Sequence, residues 1–388
     1  CSHRVFIHGV VPASCEVGPS SSALLARHRC TAQGAARGCT MAWPLIVGAL
    51  GYPNCAAGLT CRKITPADKP ELTFDCAFGT PSGTPVGHVY CLHGNDGVGA
   101  KGMFAKVMLE LASHGYASMA CDARGFSPGA RPTQYSDYNY NVLITDIFSL
   151  VDEAQMHSAA GKFHMVAHDQ GARISWHSIA KGVGRKRFLT FTSLSIPHSD
   201  VFSDSLYGSK TQDDEQKAAQ YVRIIALPNS TIVYNRQIAT KVCPTYHFAH
   251  AADCQRALWY YNGAVDSGAM AMAKMLPFGR VAKWIGIPEA VVRNLTQYSL
   301  DGVPQTVKVG PVGGELPVFF ACGENDESDL CSGAAGDYFE SGTRALVANL
   351  TYMRMTAPCG HDVLGCSDVA QVTKLVAGIV ANVMSVTD

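Results

Sequence analysis

The sequence predicts an α/β fold, with a mostly parallel central sheet flanked by helices and a helical segment inserted before the last strands. Two observations predict it. Apolar runs of strand length at 87–92, 117–121, 163–167, 188–195, 318–322 and 350–355 alternate with longer stretches of helical period, among them 101–113, 141–157 and 172–180. The strand runs are also continuously apolar rather than alternating, as strands buried on both faces are. The alternation breaks once, over 199–304, where the pattern turns helical and aromatic-rich.

These elements divide the chain. Residues 1–60, rich in Ser, Ala, Gly and Cys and without a sustained period, read as an N-terminal extension. Residues 61–198 and 305–388 read as one α/β core, and 199–304 as a helical cap inserted into it. The apolar run 41–51, followed by the small residues Ala56 and Ala57, has the length of a signal-peptide core; a short buried segment is the alternative. No run is long enough to span a bilayer.

Lys plus Arg and Asp plus Glu both total 31, so there is no broad basic field to attract nucleic acid or anionic lipid. The expected partner is a small molecule. Fifteen cysteines and the sequons at Asn229, Asn294 and Asn349 favour a secreted glycoprotein, with a cytoplasmic or organellar location as the alternative. Cys91, Cys121 and Cys322 fall in core strands and are expected to be reduced, as small apolar side chains. Cys243 with Cys254, and a pair among Cys331, Cys359 and Cys366, are better disulfide candidates by proximity, and one bridge is expected to brace the loop carrying His361.

The chemistry concentrates where the strand 163–167 runs into His168-Asp169-Gln170-Gly171-Ala172-Arg173 and then a helix. Small residues, Ala167 and Gly171, stand two positions either side of Asp169. A nucleophile elbow needs this, because its central residue sits on a strained turn whose neighbours pack closely. A carboxylate there can attack carbon and form an ester, splitting one hard displacement into two easier steps. The plainer alternative is an Asp capping the following helix.

The motif resembles the Asp-nucleophile branch of the α/β-hydrolase superfamily, which holds epoxide hydrolases and haloalkane and haloacetate dehalogenases. The resemblance extends from about residue 72 to the C-terminus. It implies an α/β-hydrolase fold with an inserted cap, no cofactor and no metal. His93-Gly94-Asn95-Asp96-Gly97 resembles the family's His-Gly-x loop, so that backbone N–H groups of Asn95 and Gln170 are expected to form an oxyanion hole. The run 122–129, Asp-Ala-Arg-Gly-Phe-Ser-Pro-Gly, is similar to the family's Asp-x-Arg-Gly loop and is read as a structural, ion-paired turn. Asp326 stands where the fold carries its orienting acid, with Glu324 and Asp329 as competitors, and His361 where it carries its general base. The chain order Asp169, Asp326, His361 is that of this fold.

In the cap, Tyr221 ahead of Pro228 resembles a stretch of epoxide hydrolases that supplies a phenol, and 257–262, Ala-Leu-Trp-Tyr-Tyr-Asn, resembles the stretch that supplies the other. Tyr261 fits best and Tyr260 fits a shifted comparison. Such phenols would protonate the oxygen released on ring opening; aromatic packing is the alternative. Tyr260, Trp259 and His168 are candidate substrate contacts, although His164, His168 and His198 all lie near core strands, where histidines commonly pack.

The resemblance therefore implies hydrolysis of a small apolar electrophile, an epoxide opened to a diol. A dehalogenase with the same nucleophile is the rival: Asn95 resembles the halide-holding amide of haloalkane dehalogenases. Gln170, however, stands where those enzymes have Trp. A non-catalytic binding protein of the same fold is a third reading.

Overall fold

The structure, a computed structural model, describes residues 55–97, 99–202, 248, 250–259, 308–326, 331 and 333–386. Its strands are β1 (Thr60–Ile64), β2 (Phe74–Gly79), β3 (Gly87–Leu92), β4 (Tyr116–Cys121), β5 (Phe163–His168), β6 (Phe188–Leu194), β7 (Val318–Gly323) and β8 (Leu350–Met355). Its helices are α1 (Ala105–Ser113), α2 (Tyr140–Glu153), α3 (Gln170–Ala180), α4 (Val183–Arg187), α5 (Ala251–Leu258), α6 (Gly333–Leu346) and α7 (Val369–Met384).

The strands form one 8-stranded sheet in the order β1-β2-β4-β3-β5-β6-β7-β8. β2 pairs antiparallel with β1 and β4, and every pairing from β4 to β8 is parallel. The six expected strands are all present. β1 and β2 are additions: β1 (Thr-Cys-Arg-Lys-Ile) is exposed at four of its residues and carries no apolar run to mark it.

Strands β4, β5, β6 and β7 are buried along their whole length, because helices cover both faces. One face holds α1 and α7, whose Val107, Met108, Leu111, Val372, Leu375 and Ile379 pack on Val89, Val166 and Phe319. The other holds α2 and α3, with Leu143, Ile147, Ile174 and Trp176 against Tyr90, Met165 and Phe191. Among the buried residues of α2, Leu143, Ile144, Ile147, Leu150 and Val151 keep a helical period. Local chemistry starts these helices: the Asn139 side chain accepts the Val142 N–H at 3.1 Å, and Asp368 accepts from Ala370 and Gln371 ahead of α7.

The parallel strands point their carboxyl ends the same way, so the loops after β3, β5, β7 and β8 converge. That is where open α/β sheets hold their ligands. Of the stretch 199–304, residues 199–202, 248 and 250–259 are described. Tyr221, Tyr260, Tyr261, Cys243, Asp329 and the sequons at Asn229 and Asn294 lie outside the described residues. No described helix is long and apolar enough to cross a membrane.

Four disulfides join described residues: Cys55–Cys61, Cys76–Cys121, Cys322–Cys331 and Cys359–Cys366. The last closes the loop around His361, as expected. Cys91 is buried and free, also as expected. Cys121 and Cys322 correct the reading of them as reduced. Cys76 sits directly opposite Cys121 in the β2–β4 ladder, a partner that could not be found without β2. Cys322 is the last residue but one of β7, and its partner Cys331 lies nine positions further along the chain. Cys254 is disulfide-bonded.

Candidate active site

Asp169 occupies the sharp turn between β5 and α3, with φ 48 and ψ −126, a left-handed backbone that non-glycine residues rarely adopt. The surroundings hold it there. Its N–H donates to the Leu194 carbonyl at 3.1 Å, tying the turn to the end of β6. Gly171 is obligatory: a Cβ on it would meet the backbone oxygens of Leu92 and His93 within 2.6 Å. A Cβ on Gly94 would run into the Asp169 side chain and come within 2.6 Å of the Gln170 nitrogen. The two glycines let the β3 loop and the β5 turn touch.

This contact places the Asn95 N–H 2.8 Å from Asp169 Oδ2. The other carboxylate oxygen, Oδ1, faces His361 Nε2 at 3.4 Å. His361 Nδ1 donates to Asp326 Oδ2 at 3.0 Å. Asp169, His361 and Asp326 thus form one connected line. Of the competing acids, Glu324 is exposed while Asp326 is buried at 2%.

The electrostatics of the line follow from burial and pairing. Burial alone would raise the Asp169 carboxyl, but the hydrogen bond and charge of His361, the charge of His168 and the Asn95 N–H outweigh it and hold it below the usual carboxylate range. Burial would likewise lower His361; Asp326 and Asp169 reverse that and raise it well above an ordinary imidazole. The resting site is therefore an ionised carboxylate beside an imidazolium.

Gln170 opens α3 and is buried, its side-chain Nε2 donating to the Tyr140 hydroxyl at 3.4 Å. Tyr140 in turn stacks on His177 at 4.1 Å. His168 is fully buried. Its Nδ1 lies 3.1 Å from Asp96 Oδ2, and its Nε2 donates to the His361 carbonyl at 2.9 Å. Both nitrogens are engaged with the protein, so the substrate contact expected of His168 does not fit its position. Sequence reasoning missed the parts played by Asp96 and Tyr140, whose partners are distant in the chain.

His164 and His198 are packed histidines. His164 bonds Thr190 Oγ1 at 3.0 Å and His198 donates to the Gly310 carbonyl at 3.1 Å. Burial pushes each down to about 4. Among the described residues, no cluster of His, Cys, Asp and Glu could hold a metal ion.

The run 122–129 forms the ion-paired turn its sequence suggests. Asp122 pairs with Lys101 at 2.7 Å, and Arg124 grips Asp146 through two bonds of 2.6 and 2.7 Å. Just after this run, Arg131 pairs with Asp253 of α5 at 2.9 Å and lies over the Phe248 ring, which packs on Phe126. Trp259, the residue after α5, is half-buried and makes T-shaped ring contacts with Tyr135 and Tyr138.

A family model of the alpha/beta hydrolase fold matches residues 87–329. The chain belongs to the α/β-hydrolase fold family. Solved structures of this fold resemble it over most of their length. One, from a study of novel epoxide hydrolases in metagenomes from hot environments, has a TM-score of 0.55 at 19% identity, covering 82% of this chain and 98% of the other. The epoxide hydrolase VrEH1 of Vigna radiata gives 0.51 at 18%, covering 85% and 99%. A haloalkane dehalogenase DbeA variant from Bradyrhizobium elkanii gives 0.53 at 18%, with the same coverage of 85% and 99%. At such identities the likeness is one of fold. Epoxide hydrolase 3 of Xenopus tropicalis is 24% identical over 123 residues, 32% of this α/β-hydrolase and only 31% of that protein's length.

Proposed function

We propose that this α/β-hydrolase opens an epoxide to a diol through an ester on Asp169, within a core of 61–198 and 305–388 under a cap of 199–304. The observation that carries the reading is the division of labour between the two oxygens of Asp169. Oδ2 sits on the Asn95 N–H, while Oδ1 stands toward His361. In the first step Oδ1 attacks a ring carbon, the ring C–O bond breaks, and the released oxygen takes a proton from Tyr221 or Tyr261 of the cap.

Esterification then changes the histidine. The Asp169 charge that helped to raise His361 is gone, so the imidazole gives up its proton more readily, returning the cap phenolate to a phenol, and becomes a base for water. Water gives one proton to His361 as it attacks the ester carbon, the Asn95 and Gln170 N–H groups hold the developing oxyanion on Oδ2, the diol leaves with the proton from His361, and the proton left on the Asp169 carboxyl passes to the imidazole to restore the resting pair. Asp326 keeps the ring oriented throughout. No cofactor takes part. Tyr260 and Trp259 would border the substrate.

A dehalogenase reading uses the same nucleophile and gains from Asn95, buried beside it at 2% exposure. It loses from Gln170, whose amide turns to Tyr140 instead of offering a second halide donor. A non-catalytic binder would have no use for an ionised carboxylate strained into this turn. Incubation with a panel of epoxides and haloalkanes in ¹⁸O-water decides among the three. Diol formation with label entering Asp169 over repeated turnovers is expected; halide release without diol, or no turnover and no label, overturns the reading.

The disulfides support a secreted protein. Asn349, exposed at the bend before edge strand β8, adds an accessible glycosylation sequon. Peptide-N-glycosidase should lower the mass of the secreted protein, by less in Asn349→Gln; an unshifted mass would refute the glycoprotein reading.

A further inference from the structure

Behind the line of Asp169, His361 and Asp326 lies a second buried histidine–carboxylate pair. His168 ends β5 and Asp96 belongs to the loop after β3; both are buried. Asp96 Oδ2 accepts the Gly94 N–H at 2.9 Å and faces His168 Nδ1 at 3.1 Å. On the far side of the ring, Nε2 donates to the backbone carbonyl of His361. Both partners of the His168 ring are acceptors, so both nitrogens carry protons and the ring is a cation balanced by Asp96. The same carbonyl accepts a second bond, 2.6 Å from Ser195 Oγ. Ser195 follows β6 with φ 64.

Two donors from two different strand ends thus converge on the backbone of the residue whose side chain must stay between Asp326 and Asp169. The loop bearing His361 has no regular structure of its own. Fixing its carbonyl fixes the origin of the side chain, and the His168 and His361 ring centroids stand only 5.2 Å apart.

We propose that Asp96 and His168 are positioning residues that hold His361 in register for the water-activating half of the reaction. This rests on the role of His361 as base. Both His168 nitrogens bond protein groups other than Asp169, and His361 does more than His168 to keep that carboxylate ionised, so loss of the pair should spare formation of the ester and slow its hydrolysis. Charge supports the arrangement: burial would lower His168, but Asp96 and, less strongly, Asp169 push it up to about 9 against the opposing charge of His361. The ring therefore keeps both protons through neutral pH.

Rapid-quench kinetics with 4-nitrostyrene oxide as probe would separate the two half-reactions in His168→Leu, His168→Gln, Ser195→Ala and wild type. His168→Leu should slow ester hydrolysis by about ten- to a hundred-fold, as misplacement by an ångström does. Ester formation should stay within about three-fold. His168→Gln, which restores an N–H toward the carbonyl, should recover most of the loss, and Ser195→Ala should show a milder version of the same split. Equal slowing of both half-reactions, or unchanged ester hydrolysis in His168→Leu and Ser195→Ala, overturns the proposal.

A second readout needs no substrate. The low-field proton resonance of His361 Nδ1–H bonded to Asp326 should broaden or shift in His168→Leu and return in His168→Gln. An unmoved resonance in folded His168→Leu counts against the proposal even if the probe is not turned over. Absence of any Asp169 ester in wild type and in His361→Gln would instead refute the epoxide hydrolase reading.

Discussion

The turn that carries Asp169 is built inside the sheet, where two glycines and the end of β6 press its backbone into shape, whereas the loops carrying Asp326 and His361 leave the sheet and are closed at their bases by Cys322–Cys331 and Cys359–Cys366. The first region relies on close packing, the second on covalent closure. The difference follows from length. A single-residue turn between strand and helix leaves nothing to tether, while a loop of several residues has entropy to lose before its side chain can be aimed.

The two regions should therefore break differently. Asp169→Ala should lower kcat by about 10⁴-fold or more, since no neighbouring group can replace the nucleophile. Steady-state turnover of the best epoxide measures this, and retention of activity would refute the mechanism. His361→Gln should form ester and stop; mass spectrometry of the intact protein should then find one substrate equivalent on the peptide containing Asp169.

Gly171→Ala tests the packed region, because its new methyl meets two carbonyl oxygens. A loss of about 1–3 kcal/mol in urea unfolding is expected, with activity lost in proportion to the displaced turn. The double variant Cys359→Ser, Cys366→Ser tests the tethered region. Loop-closure entropy for so short a ring gives about 2.5 kcal/mol, and ester hydrolysis should suffer more than ester formation.

Stability against pH gives a further contrast. The depressed Asp169 contributes stability above about pH 4, its ordinary range, and loses it only as pH falls well below that. His168 and His361 are raised, so their contribution is complete below about pH 6.5 and declines as pH rises, through about 9 for His168. Denaturation midpoints should fall over that alkaline window, less steeply in Asp96→Asn. The smallest effect belongs to Asp253→Asn. Breaking the partly exposed Arg131–Asp253 pair should cost up to about 1 kcal/mol of α5 docking, seen as a rise in KM with kcat nearly constant.

What could be read from the sequence follows the same division. Asp169 was legible because an elbow demands small residues at fixed offsets, and the six apolar strands because burial on both faces leaves no polar alternation. β1 and β2 were not, their runs being broken by the charged Arg62, Lys63 and Asp75, and with them went the partner of Cys121. Asp326 and His361 followed from chain order at strand ends. The Asp96–His168 pair and the Gln170–Tyr140 contact could not, since each joins positions related only by the fold, and nothing in a local pattern says that a histidine's far nitrogen reaches a carbonyl across the sheet.

β6 and β7 are bonded neighbours, aligned from Phe191 opposite Val318 to Leu194 opposite Ala321, although the whole stretch 195–317 intervenes in the chain. Because the pair is parallel, the chain leaves at Leu194 and returns at Val318, at opposite ends of the ladder: three residue steps of about 3.3 Å along the strands and one interstrand spacing of about 4.8 Å separate the two points. The β6–β7 ladder holds both points whatever the length of the segment between them. A graft between these two points would therefore carry the proposed proton donors Tyr221 and Tyr261 with it, while Asp169, Asp326 and His361 stay in place.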